Sequence, residues 1–312
     1  MTRRILVRLL TGLLVLWLAA TATFFAIHAL PGKIEDVLAG DLSYPGLHEA
    51  VAAQWGLDRS LPWQYGRFLL RLMQGDLGTS FVMQEPVTEV LRSQIGPTAQ
   101  LAGAAGLLAF VLAATTAILT AGAGRRVSRR IDWAHRCASM LELVCASTPV
   151  FWLGMLLLIV FSFEWHLFPV SGAQGWRALV LPAVTLALPT AGVLSQVMRE
   201  ALEAALEKPF VVTVRARGVP ELTLRFTHLL RHAMPPVLTL GGWLIGGLLG
   251  GAVITEKMFG RPGIGSVTLN AVTSQDVPVV LAVVLLAAFV HVVMSTLLDV
   301  LYLLIDPRLR TS

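Results

Sequence analysis

Residues 198–238 read MREALEAALEKPFVVTVRARGVPELTLRFTHLLRHAMPPVL. The stretch is basic, and its apolar residues recur at helical spacing. Gly218-Val219-Pro220 breaks it: glycine tolerates a positive φ between two helices, and proline suits the first turn of the second. Long apolar blocks flank it, Leu179–Val197 before and Val237–Ile254 after. A polar helix–turn–helix is therefore inserted between two candidate membrane spans. Phe210, Val211 and Val214 form an apolar set that can sit in a partner's groove, with Arg215 and Arg217 at its rim. On charge alone, the same stretch could instead face anionic lipid.

Working outward, four more apolar blocks reach the length of roughly 20 residues that a bilayer span needs. They are Leu9–Leu30, Thr98–Gly122, Ala138–Phe163 and Val277–Leu304. The chain of 312 residues is 55% hydrophobic and only 14% charged, where a soluble domain carries about 25% charged residues. That excludes a soluble globular enzyme and a disordered chain. The fold class is all-α, a polytopic membrane protein with six transmembrane helices. The net charge of +5 reports topology before it reports nucleic acid. Arg3, Arg4 and Arg8 precede the first block as in a signal peptide. The block exceeds an ordinary signal core, and no clear small-x-small cleavage site precedes Pro31, so it reads as a retained helix.

The basic residues orient the chain. With the N-terminus in the cytoplasm, sixteen of the 24 Lys and Arg fall on the inside, and only Arg177, Lys257 and Arg261 fall in short outer loops. The excess predicts a membrane protein with both termini cytoplasmic. The outer segment Pro31–Pro97 is long and carries eight acidic residues. Its runs LHEAVAAQWGL and PWQYGRFLLRLMQGDLG predict short amphipathic helices on the outer surface. Pro86 sits near the start of another helix. Two parts follow: residues 1–97, a first helix with a long extracytoplasmic loop, and 98–312, a five-helix core with its cytoplasmic loop at about 199–236.

No catalytic constellation stands out. Gly32-Lys33 continues into Ile34 and is no phosphate loop, and neither HExxH nor GxSxG occurs. Cys137 and Cys145 lie about 12 Å apart along a helix axis, too far for a disulfide, and read as small buried hydrophobes. No metal site is expected.

Polar groups in apolar blocks are weighed one by one, since they are costly in lipid. Glu142 and His135, near one end of the third span, could face water. Asp299 and Asp306 lie near the end of the last. His291 is deeper, a packing residue or a ligand contact. Ser195 and Gln196 could line a path, and Pro182 and Pro189 could kink their span. Gly242, Gly246 and Gly250 recur four apart, a spacing that lets helices approach, within this subunit or against a second one.

The opening stretch resembles the EAA loop of ABC importer permeases in the dipeptide/oligopeptide/nickel family. Phe210-Val211, Thr213, Arg215-Ala216-Arg217-Gly218, His228 and Pro236 fall at that family's pattern positions, with Val214 for the usual Ala and Arg217 for the usual Lys. GDLGTSF, EPVTEVL, STPVFWLGMLLLIVFS, FPVSG, GGAVITEKMFGRPGIGSVTLNAV and LLDVLYLLIDPRLR match further family motifs in order, so the likeness covers nearly the whole chain. One departure is Pro31-Gly32-Lys33-Ile34 in place of Pro-Gly-Asp-Pro.

The resemblance implies a type I permease fold and a non-enzymatic importer subunit. It implies a second homologous permease, two ABC ATPase subunits below and an extracytoplasmic substrate-binding protein above, with no nucleic acid as a partner. ATP and Mg would be bound by the ATPase subunits, leaving no cofactor in this chain. The 210–218 element would be the ATPase-coupling helix, and closure of the ATPases would drive alternating access. The implied cargo is short peptides or nickel as a metal–chelate, and Gly175-Trp176 is slightly more like the nickel branch. Glu256, Phe259 and Gly263 are implied gate candidates. The rival reading is an ion-coupled secondary transporter, which would want an inverted repeat and a midplane carboxylate pair. A membrane enzyme would want a convergent polar set on facing helices. Neither feature is evident.

Overall fold

A computed structural model of the chain describes residues 2–29, 49, 52, 56–80, 82–122 and 129–305. The turn 31–34, most of LHEAVAAQWGL, Arg125, Arg126, and the Asp306-Pro307-Arg308 signature lie outside those residues. The chain forms two compact units, residues 1–98 with 262–296, and residues 99–261 with 297–312.

The first unit is built on α1 (Thr2–His28) and α2 (Leu61–Met73). Pro62 lies in the first turn of α2, where its missing N–H costs nothing. Phe24 of α1 is buried and meets the rings of Tyr65 at 5.3 Å and Phe68 at 5.6 Å. The Thr21 and Tyr65 hydroxyls lie 2.7 Å apart, so α2 is pinned to the end of α1 by an aromatic cluster with a polar clasp. A two-residue hairpin follows, β1 (Thr79–Ser80) antiparallel to β2 (Glu85–Pro86), with Thr79 opposite Pro86. It leads into α3 (Val87–Thr120). Val87, Val90 and Leu91 pack with Val267 and Ala271 of α10 (Ile264–Thr273) and with Val279 and Ala282 of α11 (Val277–Ile305).

The second unit holds the rest of α3, then α4 (Arg129–Ser147), α5 (Val150–Leu157) with a π-helical turn at Leu158–Glu164, and α6 (Arg177–Leu206). Next come α7 (Pro209–Ala216), α8 (Glu221–Thr223), a second π-helical stretch at Leu224–Leu229, and α9 (Leu230–Met258). Helix α6 is the axis of this unit, with Ala187, Met198 and Leu202 fully buried. Gly192 lets α6 close on α4: an added Cβ would stand 2.5 Å from the Glu142 carbonyl oxygen and 2.8 Å from the Ala146 nitrogen. Side chains that would sit in the way are absent by design of the sequence at this one crossing.

Four helices among the described residues are long and apolar enough to cross a membrane, and six spans result when two bent helix pairs each count as one. The expected third span is one of these pairs. Its arms, His135–Ser147 and Val150–Glu164, meet at 106°. Pro149 is the cause: it cannot donate to the ladder and it pushes Thr148 out of the helical region. The other pair, Glu221–Gly241 and Gly246–Met258, bends by 60°.

Four more differences from the sequence expectations stand out. The helix expected after Pro86 and the second span are one helix, α3, running through Pro97. The fourth span extends through Arg199 to Leu206 in a single helix containing both Pro182 and Pro189. Ile264–Thr273 form a ten-residue helix, α10, in a segment outside the six expected spans. Finally, Cys137 is exposed and Cys145 half-buried, both free, so Cys137 is not the buried hydrophobe its apolar setting suggested.

Candidate functional site

Helix α7 begins where α6 ends. Lys208 is extended at its N-cap and Pro209 fixes the first turn. Eight residues give two turns with two distinct faces. Val211 is 1% exposed, and Phe210 and Val214 pack beside it against Met198, Leu202, Leu224 and Ala233. The Phe210 ring also lies 4.9 Å from His232 of α9. The opposite face carries Val212, 70% exposed, with Thr213, Ala216 and Arg217 also exposed. This corrects the sequence expectation. Phe210, Val211 and Val214 are one helical face, but it is filled by this chain's own core. The face open to a partner is the one centred on Val212.

The turn after α7 is set by Gly218, whose φ is +75°. Its N–H donates to the Arg215 carbonyl at 2.9 Å. Arg215 then reaches across the turn to Glu221, Nη2 to Oε1 at 3.0 Å and Nε to Oε2 at 3.2 Å. Arg225 shares Glu221 at 3.3 Å and donates its Nη1 to the Ile118 carbonyl of α3 at 2.7 Å. The two arginines thus fix the angle of the turn and tie it to α3, so Arg215 staples the turn where a docking rim was expected. His228 is exposed and within 2.7 Å of the Thr227 hydroxyl. Pro236 is exposed within α9.

Behind this surface lies a charged clamp. Arg199 of α6 is 6% exposed and Glu142 of α4 is 5% exposed. Arg199 Nη2 donates to Glu142 Oε2, and Arg199 Nη1 donates to the Thr120 hydroxyl at the end of α3 at 3.3 Å. One turn along α6, Glu203 accepts the Gly122 N–H at 3.4 Å. His135 Nδ1 lies 3.2 Å from the Thr120 carbonyl. Three helices therefore meet on one guanidinium. A charge this far from water must be paired, and Glu142 supplies the partner. The expectation that Glu142 faces water is overturned, and Arg199 is an interior residue as well as a topology marker. An acid in the third apolar block and a base just past the fourth were the only sequence signal; their separation of 57 positions hides the pairing.

The remaining candidates do not converge. Glu256 is 1% exposed, and its carbonyl accepts the Arg261 N–H at 2.8 Å. Arg261 Nη1 donates to the Ala178 carbonyl at 3.1 Å. Burial pulls the Arg261 guanidinium below its ordinary value, with the Glu256 charge opposing. Phe259 is buried against Leu158 and Leu181. Gly263 is extended at the start of α10, and the Ile264 N–H donates to the Thr98 hydroxyl at 2.8 Å. Ser195 is buried on the Gly192 carbonyl, while Gln196 and His291 are exposed. Of the glycine stripe, Gly246 and Gly250 are exposed, and added Cβ atoms there would meet nothing within 4 Å. A Cβ added at the neighbouring Gly251 would stand 2.8 Å from Leu186 of α6. The surroundings of the Gly242 and Asp299 side chains lie outside the described residues. Among the described residues, no group of three or more His, Cys, Asp or Glu could hold a metal ion.

Known proteins supply the wider context. Residues 113–311 match the family described as binding-protein-dependent transport system inner membrane component, and residues 1–102 match the N-terminal domain of such components. A putative peptide transport system permease protein of Brucella abortus (strain 2308) is 33% identical, over 99% of both chains. The glutathione transport system permease protein GsiC of Salmonella paratyphi A is 34% identical over 99% of both. Its counterpart in Pectobacterium atrosepticum is 35% identical over 97% of both.

The chain belongs to this family of inner-membrane permeases. It has the all-α, type I ABC permease fold, it is a multi-pass protein of the inner membrane, and its relatives are transport permeases rather than enzymes. Membership implies an ATPase and a substrate-binding protein as partners.

Proposed function

We propose that the chain is one of two homologous permease subunits of an ATP-driven importer for short peptides or glutathione. Two ATPase subunits dock from the cytoplasm, and the cargo is delivered by a binding protein on the other side. Both termini are cytoplasmic, which the excess of Arg and Lys in the inner segments supports. ATP and Mg are held by the ATPase subunits and not by this chain.

The observation that carries the reading is the two-faced α7. Its inner face is built into the core with α6, and its outer face stands open around Val212. A helix packed this way moves with α6 when something pushes on its outside. Pressure from closing ATPases would pass through Val211 and Met198 into α6, and through the Arg199 clamp into α4 and α3. That is rigid-body coupling of the kind alternating access needs. The exposed Gly246 and Gly250 support a second permease packing against α9.

The peptide and glutathione reading rests on the names of the relatives; nickel, free or chelated, is the competing cargo. Uptake in a deletion strain decides among labelled dipeptide, glutathione and nickel with or without chelator. Loss of peptide or glutathione uptake is expected. Loss of nickel uptake alone would overturn the cargo. Gly218→Asp, which puts a side chain at φ +75°, should abolish uptake while the protein stays in the membrane. Gly218→Asn should be milder, because Asn visits that region readily. Normal uptake with Gly218→Asp would contradict the coupling role.

A further inference from the structure

The first unit contains an open cleft between α1, α2 and the start of α11. Phe24, Phe68, Leu281 and Leu285 give it a largely apolar wall, with the buried Gln64 beside them. Its rim is polar: Arg67, Arg71 and Asp76. The helix ends fix how this divide lies relative to a membrane. Phe24 is four residues from the end of α1, and Leu285 eight residues past the start of α11. At about 1.5 Å per residue, the apolar wall runs some 12 Å into the bilayer core, whose half-thickness is roughly 15 Å. The arginine rim stays level with the headgroups.

Helix α2 has the character of an interfacial helix. Trp63, Leu70 and Met73 are exposed. Arg59 and Arg67 stand over the Trp63 ring, at 5.8 and 5.1 Å from its centre. Arginine beside tryptophan on an amphipathic helix is the composition of a membrane-surface segment. At the rim, Arg71 Nε is bound to Asp76 Oδ2 at 2.8 Å. Asp76 is held below the usual carboxylate range by the Arg71 hydrogen bond, then by the Gly78 N–H, against some burial. Among the described residues no carboxylate pairs with Arg67. Arg67 thus adds to the rim, above an apolar slot, a positive charge that no described carboxylate meets.

We propose that this cleft binds one anionic phospholipid of the outer leaflet, its phosphate on Arg67 beside Arg71 and an acyl chain along Phe68, Leu281 and Leu285. The leaflet follows from the orientation given above, on which this inference rests. The bound lipid would wedge α2 against α1 and α11 and so set the footing of the extracytoplasmic segment.

The test is native mass spectrometry of the purified transporter complex after exposure to vesicles of equal parts phosphatidylglycerol and phosphatidylcholine. Wild type should retain phosphatidylglycerol in preference. Arg67→Gln should weaken that retention about fivefold, the scale of one basic residue at an anionic surface. Arg92→Gln, an exposed charge of the same unit outside the cleft, should leave it unchanged. Leu281→Trp should fill the slot and expel both lipids. No preference in wild type, or equal retention in the Arg67 and Arg92 variants, would overturn the proposal. So would an Arg67→Gln variant that keeps its lipid but loses stimulation by the binding protein, which would make the rim a protein-docking surface. Retention is read without transport, so a complex that imports nothing still scores it, and failure of the importer reading is seen separately.

Discussion

Glu142 and Asp276 are both buried acids, 5% and 2% exposed, yet the two units keep them by different means. Glu142, in the second unit, faces the Arg199 guanidinium, and both side chains are buried. Asp276, in the first unit, stands just before α11 and accepts a hydrogen bond from the Ser80 hydroxyl, with no cation beside it among the described residues. Burial pushes its carboxyl above the ordinary value of 3.8, and the bonds from Ser80 and the Val279 N–H only partly offset that. Ser80 also accepts the Met83 N–H at 2.9 Å, so the acid ties the hairpin to the start of α11. The lesson is that an ion pair fails when either member is removed, whereas a hydroxyl-bonded acid tolerates losing its charge.

The largest effect should come from breaking the pair. Arg199→Met leaves a buried, unpaired carboxylate and should cost about 3–5 kcal/mol, read as a lower melting temperature of the purified protein. Arg199→Met combined with Glu142→Met should recover most of it. A mild single variant would erase the contrast with Asp276. Next, Gly192→Leu should force α6 off α4 at a cost of about 1–3 kcal/mol, since even a Cβ would stand 2.5 Å from backbone.

Asp276 should be gentler. Asp276→Ala removes the cap of α11 and should cost about 1 kcal/mol, while Asp276→Asn should melt close to wild type. A carboxyl raised in the folded state binds its proton more tightly there than in the unfolded chain. Its stabilising contribution is present below the unfolded value and is lost as pH rises through the folded one. Wild type should therefore lose stability relative to Asp276→Asn as pH climbs above the ordinary carboxylate range. A melting difference that does not change with pH would sharpen the comparison the other way, showing that burial leaves the Asp276 carboxyl unshifted. Smallest in stability is Val212→Asp, expected within about 0.5 kcal/mol yet unable to support uptake.

Much of this was legible in the sequence. The apolar blocks, the break at Gly218 and the family motifs follow from local chemistry, and each marks a real element. What could not be read depends on which side of an element meets which neighbour. Phe210, Val211 and Val214 are spaced as one face, but spacing does not say whether the core or a partner fills it. Pro149 was visible as a residue; that it turns a span through 106°, while Pro97, Pro182 and Pro189 leave their helices unbroken, depends on the packing around each. The Arg199–Glu142 clamp joins residues far apart in the sequence and leaves no periodic trace. His291 sits in an apolar run and is nonetheless exposed, because a span that faces lipid shows its side chains outward.

The central claim is that α7 presents its Val212 face, and not its Phe210–Val211 face, to the ATPase subunits. Site-directed cross-linking tests it most directly. In a chain carrying Cys137→Ala and Cys145→Ala, single cysteines are placed by Val212→Cys, Ala216→Cys, Val211→Cys and Val214→Cys, and the assembled transporter is treated with a short bifunctional reagent. The account predicts cross-links to the ATPase from positions 212 and 216 and none from 211 and 214. Cross-links from 211 and 214, with 212 and 216 silent, would contradict it.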